Sequence, residues 1–500
     1  MLDTETPQSL VQNSQQDPAV EDADDVVENG RDSKSYVDYR GIEKKPCPSI
    51  TFQEVLKLVK ENSTNKKKKA QGKNIVIIDT RTPKEYEESH VIDAINIPLM
   101  NNDQRHIIGK TYKQESKEAA ITKGWNIFSP LISDYMKQFE QYKNKQTQVY
   151  IYCWRGGMRS RIVTNLLNMN GFGGNDSDDS GNTVHQIYGG FKVYMNDIVW
   201  KGLDDFAISY PPTFIVLFGN TGSGKTQILK KLEQTKLRPV GESGESGEDE
   251  SELCLPVLDL EGLAGHMGSL YGNVDKEPKS QKMFSILLYH KLEELQHFKY
   301  IFVEGESNKV GNVHLPIFLF EKIQSRKNGS TKPEASSTST MTSEGNFING
   351  DNEYGKQSSP DTDAETSSSS EQPTSFSPDQ PSSSSQSLNV LVQASIPTRI
   401  KVIREEYDTT KEESIQQIRD ATNSVSLLRN IGKKNVTMLH KLLDEKKFDE
   451  FTEWLLVNYY DLRYRYTKQD YHYSLIVTND HESNMDGCCS RLSDFYYSLH

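Results

Sequence analysis

TFIVLFGNTGSGKTQILKKLEQ, residues 213–234, decides how the rest of the chain is read. Its opening, Thr213–Phe218, is an apolar run suited to a strand buried on both faces. GNTGSGKT (219–226) then fits G-x-x-x-x-G-K-[ST], and KTQILKKLEQ places apolar residues at helical spacing. Strand, glycine-rich turn and helix in this order gather backbone N–H groups that can surround a phosphate chain. Gly219, Thr221, Gly222, Ser223 and Gly224 form the candidate cradle. Lys225 would meet the outer phosphates, and the Thr226 hydroxyl could reach an Mg²⁺ ion. A phosphate or diphosphate binder follows from these letters, but nucleotide hydrolysis does not. Asp259 and Glu304, each ending an apolar run, are the two candidates for a metal-orienting carboxylate, and either could equally cap its strand.

A second loop asks for a different chemistry. YIYCWRGGMRS (150–160) carries Cys153 from an apolar run into a turn with two glycines and two arginines, and SRIVTNLL continues at helical spacing. A sulfur between a strand end and a helix start sits among backbone N–H groups, and Arg155 and Arg159 add positive charge. Both effects favour thiolate and make a nucleophile. The glycines let backbone close around an anionic group that the sulfur carries, phosphoryl and sulfane groups alike. Cys47, Cys254 and the adjacent Cys488 and Cys489 lack such surroundings and read as structural.

Around these loops, apolar runs at 74–80, 94–98 and 148–153 alternate with helical stretches, and a second series resumes after Pro211–Pro212. The pattern predicts an α/β chain: a mainly parallel α/β domain followed by a P-loop NTPase-like α/β domain with a helical C-terminal part. The expected divisions are a disordered acidic tail (1–45), the first domain (46–205), the P-loop domain's first part (206–328), a disordered Ser-rich insertion (329–388), its second part with the helical region (389–470), and a C-terminal tail (471–500). LPVLDLEGLA (255–264) and KYIFVEGES (299–307) are expected as strands, and SLNVLVQASIPTRIKVI as resumed sheet pattern.

Composition fits this division. An apolar fraction of 34% is low for 500 residues, so part of the chain is expected to be unfolded. The net charge of −13 is concentrated: residues 1–44 carry −7, 329–388 another −7 and 241–252 −6, leaving a mildly basic remainder of +7. That remainder permits nucleic-acid binding without demanding it. Five scattered cysteines argue against a disulfide framework and fit a reducing, cytoplasmic setting; no metal-ligand spacing, apolar span of membrane length or targeting segment is evident.

VIIDTRTPKEYEESHVIDAINIP, with Asp79 and Arg81 after its strand, resembles the opening of a rhodanese domain, and YIYCWRGGMRS resembles the rhodanese active-site loop. More specific is an ordered series: PLMNNDQRHIIGKTYKQES, YCWRGGMRSR, IYGGFKVY, GNTGSGKT, LDLEGLAGHMGSLYG, VEGESNKVGNVHLP and WLLVNYYDLRYRY. It resembles the tRNA 2-selenouridine synthase family over roughly 70–325 and again over 389–467. The resemblance implies an enzyme, a selenotransferase and geranyltransferase acting on wobble 2-thiouridine of tRNA. Geranyl diphosphate would first S-geranylate the base; selenophosphate would then replace the geranylthio group with selenium, giving 2-selenouridine. Cys153 would carry the selenium as a nucleophile, and a selenophosphate synthase is an implied partner. Thr111, Gly265 and Met267 depart from the residues expected at their places in bacterial members.

Two rival readings stand beside this one. The chain could be a rhodanese-type sulfurtransferase or phosphatase under nucleotide control, since the span Cys153–Arg159 also suits phosphate. It could instead be a non-catalytic nucleotide-sensing module, although a scaffold needs no activated thiol. Asp259, Glu261 and His266 read either as a polar cluster near the phosphate loop or as strand-end capping. Glu304, Glu306 and Ser307 carry the same ambiguity. Trp154 either stacks on a base or packs. NYYDLRYRYTKQDYHY suits RNA stacking, with an aromatic core face slightly the better reading. Oligomeric state is not legible.

Overall fold

The computed structural model describes residues 41–64, 74–143, 147–172, 184–238, 253–267, 271–272, 274, 276–305, 307–324, 387–407, 409–463, 472–480 and 484–500. Much of the expected acidic tail, the Ser-rich insertion and the acidic stretch 241–252 lie outside them.

Five parallel strands build the first sheet: β1 (Ser49–Ile50), β2 (Asn74–Asp79), β3 (Ile95–Asn96), β4 (Thr147–Tyr152) and β5 (His185–Ile187). Their order is β1-β5-β4-β2-β3. β2 and β4 are the near-continuous apolar runs NIVIID and TQVYIY, paired from Asn74–Thr147 to Asp79–Tyr152. Such runs suit strands covered by helices on both faces. Because β4 lies inside the sheet, its carboxyl end delivers Cys153 to the sheet's upper edge, between β5 and β2.

The second sheet is also parallel, formed by β6 (Thr213–Phe218), β7 (Val257–Leu258), β8 (Tyr300–Glu304), β11 (Leu388–Gln393) and β12 (Leu475–Thr478) in the order β12-β11-β6-β8-β7. A small antiparallel hairpin, β9 (Lys309–Val310) and β10 (Val313–His314), follows β8. β6 is central, and strand order reverses around it. Open parallel sheets place their ligand crevice at such a point. The glycine-rich loop therefore emerges where a ligand can approach.

One apolar cluster joins the two units. Phe52, Tyr152, Phe191 and Tyr194 of the first share it with Phe214, Phe284 and Leu292 of the second. A hydrogen bond crosses it, between the Tyr194 hydroxyl and His290 Nε2 (2.8 Å). The expected break at 205/206 falls inside the helix Lys201–Ile208, which runs through it.

Five expectations need correction. The expected C-terminal tail (471–500) is structured over 472–480 and 484–500: β12 pairs with β11, and the helix Asn484–Ser498 buries Cys488, Cys489, Leu492 and Tyr496 in the second core. The acidic tail ends earlier than 45, because Ile42 is fully buried and its carbonyl, with that of Lys45, accepts from Asn165 Nδ2. LPVLDLEGLA is mostly not strand; β7 is two residues long, and Asp259 turns the chain into the helix Leu260–Ala264. In SLNVLVQASIPTRIKVI the first half is β11 and the second is the helix Ile396–Glu406, with Pro397 near its start where a missing N–H costs nothing. β11 begins at Leu388, inside the expected insertion.

Candidate functional site

Cys153 follows β4 and is 3% exposed. Its Sγ accepts the Gly157 N–H at 3.3 Å and lies 3.2 Å from the Ser160 hydroxyl, at the start of the helix Met158–Met169. The bowl exists because two loops interleave their backbones. Gly156 adopts φ +59°, and a Cβ there would stand 2.6 Å from the Gly189 nitrogen; a Cβ on Gly190 would collide with the Cys153 carbonyl. That carbonyl accepts the Phe191 N–H at 2.9 Å.

Gln186, on β5, ties the loop down and was missed from sequence. Its Nε2 donates to the carbonyls of Gly156 (2.8 Å) and Gly157 (2.9 Å) and to Ser160 Oγ (2.8 Å). Its Oε1 accepts from the Cys47 thiol at 3.1 Å, and burial pushes that thiol's pKa up. A single buried Gln among apolar residues gave no spacing signal.

The two loop arginines part company. Arg155 is exposed. Arg159 is directed to Glu85, with Nη1 to Oε2 at 2.8 Å. Burial alone would raise the Glu85 carboxyl, but the hydrogen bonds and charge of Arg159 override it and hold it at about 2. Asp79 and Arg81 form a buried pair at 2.6 Å, and the Arg81 guanidinium lies 3.9 Å over the Phe191 ring. They support the thiol loop through Phe191. Trp154 packs, its ring 5.8 Å from Phe191.

At the phosphate loop, Lys225 Nζ donates to the Gly219 carbonyl at 2.8 Å. The Thr226 hydroxyl donates to Glu261 Oε2 at 2.9 Å, and the Glu261 N–H donates to Glu304 Oε1 at 2.7 Å. Glu261 and Glu304 are therefore the carboxylates at the loop. Asp259 caps the helix Leu260–Ala264 through the Gly262 N–H. His266 packs its ring against Gly272 and Gly311, and burial lowers its pKa. Of the expected cluster, only Glu261 reaches Thr226. Ser307 lines the adjoining cavity, while Glu306 lies outside the described residues.

Three residues far along the chain brace this loop. Arg399 Nε donates to the Thr221 carbonyl at 2.8 Å, and its guanidinium forks onto Asp461 at 2.8 and 2.6 Å. Asn220 Nδ2 reaches Asp461 at 3.2 Å, and Asn479 Nδ2 donates to the Ser223 carbonyl at 3.1 Å. Tyr459 and Tyr460 of the aromatic-basic run are buried, and the Arg463 guanidinium lies 3.8 Å over Tyr459. The aromatic core face is what the structure shows here; Tyr464–Tyr471 lie outside the described residues.

The loop opens into a cavity of about 230 Å³ with two kinds of wall. Gly222, Gly224, Lys225 and Thr226 form the phosphate end; Ile418, Leu443, Phe448, Phe451 and Leu455 form an apolar end. Glu406 also lines the cavity, and burial, then the charge of Glu261, pushes its carboxyl up to about 7. No group of three or more His, Cys, Asp or Glu side chains among the described residues is arranged to hold a metal ion, and no described helix is long and apolar enough to cross a membrane.

Residues 63–197 match the rhodanese-like domain family, and residues 212–335 match the family described as the tRNA 2-selenouridine synthase AAA domain. One chain thus carries matches to both domain families. The selenouridine synthase AAA match holds the phosphate loop, Glu261 and Glu304, whereas the apolar chamber wall and all three bracing residues lie beyond it. Two curated relatives carry the same family name. The tRNA 2-selenouridine synthase of Nitrosomonas eutropha is 30% identical over 253 residues, 50% of this chain and 57% of that protein. That of Sulfurovum sp. is 30% identical over 253 residues, 50% of this chain and 60% of that protein. The chain thus spans somewhat over half the length of these relatives. A crystal structure of the N-terminal domain of a putative ATP/GTP binding protein from Clostridium difficile 630 is 32% identical, with 30% of this chain and 98% of that chain covered and a TM-score of 0.24.

Proposed function

We propose that this chain is a tRNA-modifying transferase that converts wobble 2-thiouridine to 2-selenouridine through S-geranyl-2-thiouridine. The observation that carries the reading is the two-ended cavity: a phosphate cradle opening directly onto Phe451, Leu455 and their apolar neighbours. A prenyl diphosphate has that polarity, charged at one end and hydrocarbon at the other. Lys225 and the loop amides would take the diphosphate. The thiocarbonyl sulfur then attacks C1 of the geranyl group, the C1–O bond breaks, diphosphate leaves and the base gives up its N3 proton. Thr226 and Glu261 offer hard oxygen donors that fit Mg²⁺, which would supply charge neutralisation on the diphosphate.

The selenium exchange closes without net redox change: S-geranyl-2-thiouridine, selenophosphate and water give 2-selenouridine, geranylthiol and phosphate. Cys153 is the selenium-handling thiol in this reading, with the Gly157 N–H and the Ser160 hydroxyl to hold the anion. A selenophosphate synthase is the expected supplier, and the cytoplasm the expected compartment. The phosphatase alternative loses support because Arg159, which would clasp phosphate, is engaged by Glu85.

Nucleoside analysis of wobble-uridine tRNA incubated with the protein, geranyl diphosphate and selenophosphate tests the reading. Both the geranylthio and the seleno nucleosides are expected. Cys153→Ser should stop selenium transfer and leave geranylation, and Lys225→Ala should impair geranylation. Unmodified 2-thiouridine with the intact protein would refute the assignment.

A further inference from the structure

The first domain holds a second cavity, of about 400 Å³, between the helices Asn102–Gln114 and Lys117–Phe128. Its size falls in the small-ligand range of about 300–1,000 Å³. Ile108, Ile121, Ile127, Phe128 and Leu131 make its walls overwhelmingly apolar. Met158 and Arg159 close one side, and they are the two residues after Gly157, whose N–H meets the Cys153 sulfur. Lys113, Lys117 and Arg105 stand at the rim and are exposed. Leu131 and Tyr112 remain 45% and 59% exposed, far more than a core needs.

Apolar walls, a cationic rim and a neighbouring thiol specify a ligand of unusual build: a hydrocarbon chain carried on a polyanion. On the function proposed above, one such molecule must visit Cys153, because the base reaches the selenium step still bearing its ten-carbon thioether. We propose that this cavity receives the geranyl chain of S-geranyl-2-thiouridine tRNA during selenium exchange, while the rim cations meet RNA phosphates. It is separate from the chamber at the phosphate loop, so the chain occupies one apolar site when it is attached and another when it is removed. The proposal rests on the two-step reading.

Gly124 makes the test specific. It lies in the middle of a helix lining the cavity, and a Cβ there would touch only Ile108 Cδ1, at 3.6 Å. Larger side chains at 124 therefore fill the cavity from within a helix that Ala or Leu favours over Gly. Anticodon stem-loops bearing S-geranyl- or S-methyl-2-thiouridine would be titrated into the full-length protein and followed by fluorescence anisotropy, with selenium incorporation read by mass spectrometry. The intact protein should bind the geranylated RNA at least tenfold more tightly than the methylated one. Gly124→Leu should abolish that preference, and Gly124→Ala should reduce it. Tyr112→Ser, at an exposed rim position, should lower the preference several-fold and guards against misfolding of the first variant. Full preference retained in Gly124→Leu and Tyr112→Ser overturns the cavity assignment while the two-step reading stands. If the intact protein forms neither modified nucleoside, that reading fails and this proposal with it.

Discussion

Asn479 donates its side-chain N–H to the Ser223 carbonyl at 3.1 Å, so a residue more than 250 positions further along the chain holds the phosphate loop. Its backbone N–H is fixed in turn by the Gln393 carbonyl at 2.7 Å, beside the β11–β12 pair. Gly224 lies against it with φ +92°, and a Cβ there would come within 2.6 Å of Asn479 Nδ2. Asn479→Ala should loosen the loop and weaken diphosphate binding about tenfold, or about 1.4 kcal/mol, by calorimetry. Unchanged affinity would show that the loop holds its shape alone.

Gln186 gives a second test, on the thiol loop. Gln186→Met keeps volume and removes the donor shared by Gly156, Gly157 and Ser160. Partly buried carbonyls left without their donor cost about 1 kcal/mol, which urea denaturation should show. Selenium transfer should fall with it and geranylation should not.

Glu85 sets an acid dependence. Its folded carboxyl titrates at about 2, below its unfolded value, so its contribution is present above roughly pH 4.5 and lost as pH falls towards 2. Glu85→Gln should remove about 1–3 kcal/mol at pH 7, and the variant's stability curve should converge with the parent's in acid. A constant gap across that range would show that the carboxylate charge is not what stabilises.

Glu406 runs the other way. Its folded pKa of about 7 lies above the unfolded value, so its contribution is greatest below roughly pH 4.3 and is lost as pH rises through 7. Glu406→Gln should equal or exceed the parent in thermal stability at pH 8, by about 1–3 kcal/mol relative to their difference at pH 5.

What the letters revealed and what they hid divide along physical lines. β2, β4 and β6 were legible because strands buried on both faces must be apolar throughout, and each ends in a loop of distinctive residues. β12 was not. It is a four-residue edge strand with Ile476 46% exposed, and the helix after it contains Gly487 and two cysteines in place of a clear apolar stripe. Cys153, Lys225 and Thr226 announced themselves through their neighbours in sequence. Gln186, Arg399, Asp461 and Asn479 reach the loops only because of how the sheets are ordered, and a lone polar residue has no periodicity to read. Arg159 shows a divided case: its guanidinium is held by Glu85, a partner its place in the loop did not announce, while its charge still acts on Cys153.

The order of the second sheet also governs how the protein can be made. β6, which carries the phosphate loop, bonds on one side to β8 and on the other to β11. A ribosome that has released Glu304 has completed only one of those sides, and a long stretch of chain must still emerge before Leu388. Until then the central strand presents an open backbone edge, the kind that recruits neighbouring chains. A product truncated near 330 should therefore aggregate. Co-expression with a separate piece covering 380–500 should rescue it, by supplying β11, β12 and Asn479 from outside.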